Sequence, residues 1–196
     1  MRRLNSTLLL ASIALLFSSI AVVCHGLSRN YAYPATKDST ILRSTVSCPS
    51  CPANNCYKCT LGNATTLVAN TGGLAYSRAL IGFQMSVPGS SVTSCSIQIP
   101  AFVAPLQAPI TVVIGRAESS WWSEDRVTGE NAPEELEEVA AVDVPAFNNL
   151  GLTDITKACQ KAVNGSFSVY FSARFGHFEF WSKNSGNPAI LHVTTY

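Results

Sequence analysis

Val92-Thr93-Ser94-Cys95-Ser96-Ile97-Gln98-Ile99-Pro100-Ala101 is the stretch on which the fold turns. Cys95, Ile97 and Ile99 recur at every second position, while Ser94, Ser96 and Gln98 occupy the alternate ones. A period of two marks a half-buried strand, so the segment predicts a sandwich strand with Cys95 turned inward. Downstream, Pro105 and Pro109 bracket a loop, and the β-branched run Ile110–Ile114 predicts a central strand. Upstream, Thr40–Val46, Thr65–Ala69 and Tyr76–Met85 read as strands, the second ended by the turn Asn70-Thr71-Gly72-Gly73, and Asn30–Pro34 reads as a short entry segment. Phe167–Phe175 and Phe178–Trp181 read as a strand pair joined near Gly176-His177, and Ile190–Thr195 closes the chain as a final strand. One helix is expected over Thr153–Val163, capped by Thr153 or Asp154 and stopped by Asn164-Gly165. Eight to ten short strands with one short helix place the chain in the all-β class, as an antiparallel β-sandwich.

The chain has 196 residues, 13 % of them charged, and a formal net charge of +1. That is too weak a field to grip a phosphate backbone, so nucleic acid is excluded as a partner. Residues 1–26 read as a secretory signal peptide: Arg2 and Arg3 form the positive end, Leu8–Val23 the apolar run, and cleavage follows Gly26. The mature part, 27–196, is then expected to be one extracellular β-sandwich domain with no membrane contact after cleavage.

Seven cysteines are present, and Cys24 leaves with the leader. An even set remains: Cys48, Cys51, Cys56, Cys59, Cys95 and Cys159. Cys48-x-x-Cys51 and Cys56-x-x-Cys59 carry zinc-knuckle spacing, but an oxidising compartment favours disulfides. The expectation is a Cys-rich loop at 47–60 stapled by two local bridges of open connectivity, a long-range Cys95–Cys159 bridge, and neither metal nor cofactor.

Ser119–Pro133 breaks the strand pattern with Trp121, Trp122, Glu124, Asp125 and Arg126. Trp is costly to expose and carboxylates are costly to bury, so the loop belongs at a rim. Either one Trp caps the core among solvated charges, or the loop forms an aromatic and charged ligand rim. Sugar rings require aromatic faces and planar polar side chains. Trp121, Trp122 and Trp181 supply the former, with Tyr76. Arg78, Arg116, Arg126 and Lys183 supply the latter, with Glu124 beside them. Arg78 has an alternative use in pairing with Glu124 or Glu118. The acidic run Glu134–Glu138 reads as a solvated loop or strand edge. No HExxH helix, GxSxG elbow or phosphate-cradling loop occurs, and no acid, base and nucleophile set is visible, so the chain is not expected to be an enzyme. Asn63-Ala64-Thr65 and Asn164-Gly165-Ser166 are glycosylation sequons on expected loops.

Taken in order, several motifs resemble carbohydrate-binding module family 96, the DNRLRE domain. Asp38-Ser39-Thr40-Ile41-Leu42-Arg43 is similar to its opening strand, and Tyr76–Phe83 to its Arg-led strand. Ser119–Pro133 is similar to its segment of Trp, Glu, Val-Thr and Asn-Ala-Pro. Asp154-Ile155-Thr156 resembles its helix start, and Phe180–Lys183 with Pro188–Leu191 its closing strands. The resemblance covers Asp38–Tyr196. It implies a jelly-roll sandwich that binds polysaccharide, acidic polymers such as alginate among them, without catalysing a reaction. Two departures stand out: Gly129 occupies a position where the family usually has a second Trp, and the cysteine cluster is an insertion. A secreted module acting alone, in a cell wall, is the expected setting. The alternative is a structural or adhesive extracellular protein whose loops meet other proteins; a lyase or hydrolase is the remoter one.

Overall fold

The computed structural model describes residues 27–71 and 76–196. The signal-peptide segment, Cys24 and the glycines of the 70–73 turn lie outside the described residues. Eleven strands are found among the described residues: β1 (Arg29–Pro34), β2 (Lys37–Leu42), β3 (Thr66–Thr71), β4 (Ser77–Gln84), β5 (Val92–Gln98), β6 (Ile110–Ala117), β7 (Glu135–Val144), β8 (Thr153–Asp154), β9 (Ser166–Ala173), β10 (Gly176–Trp181) and β11 (Ile190–Thr195). One short helix, α1 (Thr156–Gln160), follows β8.

The strands form two antiparallel sheets. One runs β1-β11-β5-β8; the other runs β10-β3-β4-β9-β6-β7, with β2 added on β4. The alternation read around Cys95 is the packing pattern. Cys95, Ile97 and Ile99 are buried with Leu191 and Val193 of β11, and they meet Ile81, Phe83, Val169 and Phe171 of the larger sheet in one apolar core. The outward positions of β5 and β11 face water.

β4 and β9 depart from clean alternation, being buried almost without a break. The cause is a second cover. Their inner residues enter the main core, while Leu80 and Tyr170 point outward into a smaller cluster with Ile41, Val127 and Ala132. Strands covered on both faces read as continuous apolar runs.

Several expected elements shift. Asn30–Pro34 is not an entry segment but most of β1, which pairs in register with β11 from Arg29↔Thr195 to Pro34↔Ile190. β9 and β10 are consecutive but do not form a pair: β10 bonds to β3, and β9 lies between β4 and β6. The acidic run opens β7, the edge strand beside β6. The helix starts later than expected because Thr153 and Asp154 pair with Ile97 and Ser96. Asp154 nonetheless serves the helix start, accepting the Thr156 backbone N–H at 2.9 Å.

Three disulfides are present. Cys48–Cys56 and Cys51–Cys59 interleave in the Cys-rich loop, and Cys95–Cys159 is the long-range bridge. That bridge fastens β5 to α1, rather than one sheet to the other. Among the described residues, no helix is long and apolar enough to cross a membrane.

Candidate functional site

The eight side chains singled out for ligand contact fall into three separate settings. The first is the loop 119–133, which lies over the outer face of the larger sheet. Trp122 is half-buried there: its indole Nε1 donates to Ser168 Oγ on β9 at 2.9 Å, and Lys37 Nζ stands 4.4 Å over its ring. Lys37 also donates to the carbonyls of Ser120 and Trp122, at 2.6 and 2.7 Å. Gly82 lies beneath this crossing, where a Cβ would stand 2.7 Å from Lys37 Cε. Glu124 pairs with Lys183 at 2.9 Å and accepts the Asp38 backbone N–H at 3.1 Å. Asp38, in turn, accepts the Lys183 backbone N–H at 2.7 Å.

Asp38 is 2 % exposed, and its Oδ1 has no hydrogen-bond partner among the described residues. Burial pushes its carboxyl up to about 6, against the pull of the Lys183 N–H. Burial also lowers Lys37, opposed by Glu124. Trp122, Glu124 and Lys183 therefore latch the loop to the sheet. Trp121, 88 % exposed, projects at its tip, and Arg126 there makes a loose ion pair with Asp125 at 3.8 Å.

The second setting is a ladder of ion pairs along β7. Arg78 bonds Glu135, not Glu124 or Glu118, and its guanidinium packs 4.9 Å from the Tyr76 ring. Arg116 bonds Glu137 at 2.8 Å, and Lys161 reaches the same carboxylate at 2.6 Å. Those two donors pull Glu137 down to about 2. Arg43 bonds Glu134 at 2.9 Å, and Arg174 approaches Glu138 at 3.4 Å. Each glutamate of the run thus faces a cation across the sheet, which explains a strand of this composition. Among the described residues, no group of three or more His, Cys, Asp or Glu side chains could hold a metal ion.

The third setting surrounds Trp181 at the end of β10. Phe178 and Phe180 turn into the core, so the alternation sends His177, Glu179 and Trp181 outward. Trp181, 37 % exposed, walls an open groove of ≈ 500 Å³ with Gln98, Pro100, Asn187 and Pro188. A second groove of similar size shares Gln98, Ile99 and Ala101 and extends to Asn149 and His192. His192 Nε2 and Gln98 Oε1 share a hydrogen bond at 2.9 Å between two walls of this groove. Flat aromatic and amide walls of this kind suit a polyhydroxylated ligand.

The sequence singled out Trp181 but missed Gln98, Asn187, Asn149 and His192. Gln98 had a local signal, since its position in the alternation turns it outward. The others come together only through the β5–β11 pairing, which sets Ile190 opposite Gln98, and through the turn at Gly186. The sequon residues Asn63 and Asn164 are both exposed.

The model of carbohydrate-binding module family 96 matches residues 54–195. An "uncharacterized secreted protein" of Arthroderma benhamiae is 56 % identical over 170 residues, which cover 86 % of this chain and 85 % of that protein.

Proposed function

Because this chain belongs to carbohydrate-binding module family 96, we propose that it is a secreted, non-catalytic module that binds polysaccharide through the groove beside Trp181. What carries this reading is the pairing of an outward indole with the amides of Gln98 and Asn187 on the walls of one open groove. The indole offers a face for stacking on a sugar ring, and the amides offer both donors and acceptors to its hydroxyls. The secreted character of the relative supports an extracellular setting, as do the three disulfides. Glycosylation at Asn63 and Asn164 fits that setting.

Trp181→Ala is expected to weaken retention on a bound polysaccharide by about tenfold or more, the scale of losing an aromatic anchor. Affinity electrophoresis reads this directly. Undiminished retention of the folded variant would remove Trp181 from the site. A second reading, adhesion to proteins, is favoured by one observation: Trp121 projects from its loop at 88 % exposure without latching to the sheet. Trp121→Ala separates the two, since loss of capture from wall extract with glycan binding intact would favour adhesion.

A further inference from the structure

We propose that the groove beside Trp181 takes neutral polysaccharide and turns away polyanions. This rests on the carbohydrate-binding reading above and specifies its ligand class. Neither this groove nor the one sharing Gln98, Ile99 and Ala101 with it is lined by a lysine or arginine; their polar walls are the amides of Gln98, Asn187 and Asn149 and the imidazole of His192. A polymer with a carboxylate on its rings must surrender hydration on binding, and it needs charged donors in exchange. Neutral hydroxyls exchange water for amides at little cost.

Four of the cations on the larger sheet and its loops are already engaged. Lys183 is held by Glu124, Arg78 by Glu135, Arg116 by Glu137 and Arg43 by Glu134. An arriving carboxylate would have to displace one already in place at each position, with no gain in charge pairing.

The surroundings point the same way. β10 carries Glu179 two residues before Trp181 on the same outward side, and Glu179 lines the neighbouring groove that runs past Leu106 to Ile110. Its carboxylate accepts sugar hydroxyls and repels an anionic chain following that strand. On the other flank, the pairing of β1, β11 and β5 sets Asn30 beside Thr194 and Ser94, and Ala32 beside His192 and Ser96. These outward rows carry no lysine, arginine or carboxylate, and they give a neutral chain a bed beyond the groove.

The test is affinity electrophoresis of the secreted protein in gels containing neutral polymers (laminarin, galactomannan, xyloglucan) or anionic ones (alginate, polygalacturonate), at about 50 and about 500 mM NaCl. The expected result is retardation by at least one neutral polymer, unchanged by salt, and none by the anionic polymers; equal retardation by both classes overturns the proposal. Trp181→Ala should reduce the neutral retardation about tenfold or more, and Gln98→Ala, an exposed change that spares the core, about threefold. Retardation by anionic polymers alone, fading with salt, overturns the proposal and leaves carbohydrate binding standing. So does neutral retardation that both variants retain in full, because the groove is then not the site. Absence of retardation by every polymer, with the protein folded by circular dichroism, overturns the carbohydrate-binding reading itself.

Discussion

Asp38 shows how much a single carboxylate decides here. It is buried, with one oxygen lacking a hydrogen-bond partner among the described residues, beside the Glu124–Lys183 pair that holds the Trp loop. Its folded-state value, about 6, lies above the ordinary 3.8. The stability it contributes is therefore fully present below about pH 4 and lost as pH rises through about 6. The difference amounts to on the order of 3 kcal/mol. Asp38→Asn should remove this dependence, so that the gap in melting temperature between variant and parent widens from pH 4 to pH 7 in the variant's favour. Parallel curves would show that Asp38 is not the titrating group. Nothing local in Lys37-Asp38-Ser39 announces this burial, since a charged pair before a strand ordinarily reads as solvated. The adjacent tryptophans are legible only as a pair: either one caps the core among solvated charges, or the loop forms a ligand rim. That Trp122 is the packed one depends on Ser168 and Lys37, distant in sequence.

Elements were legible where alternation or β-branching was strong, as in β5, β6 and β11. β1 escaped because Arg-Asn-Tyr-Ala-Tyr-Pro has little strand character and becomes a strand by pairing with β11. β7 escaped because its three glutamates look solvated until Arg78, Arg116 and Arg174 are placed opposite them. The ladder is exposed enough that single pairs contribute about 0–1 kcal/mol. The two departures from the family pattern meet in one place. A Cβ on Gly129 would stand 2.1 Å from the Leu42 carbonyl oxygen and 3.1 Å from Tyr57 Cα, and Tyr57 belongs to the Cys-rich loop. The Tyr57 carbonyl accepts the Glu130 N–H, so the inserted loop abuts this turn closely. Gly129→Ala should therefore destabilise by about 1–3 kcal/mol in denaturant unfolding, and an unchanged midpoint would contradict this packing.

At the scale of the whole molecule, the two-layer sandwich follows from inward residues at every second position, and the Cys95–Cys159 bridge adds a constraint across a sequence separation of 64. Replacing both cysteines by Ala should cost about 4 kcal/mol in the chain-entropy view, measured as a fall in the denaturant midpoint. A loss below about 1 kcal/mol would mean that α1 docks on β5 without the bridge. The candidate site was less legible than the fold, because its walls come from β5, β10 and the turn before β11, which no local pattern brings together. The ligand residues expected near Ser119–Pro133 divide between a latch and an exposed tip, whereas Trp181 joins amides not foreseen. Backbone amide chemical-shift mapping with a soluble neutral oligosaccharide tests this most directly. Shifts concentrated at Gln98, Ala101, Trp181, Asn187 and His192 are predicted; shifts confined to the 119–133 loop and the β7 ladder would contradict it.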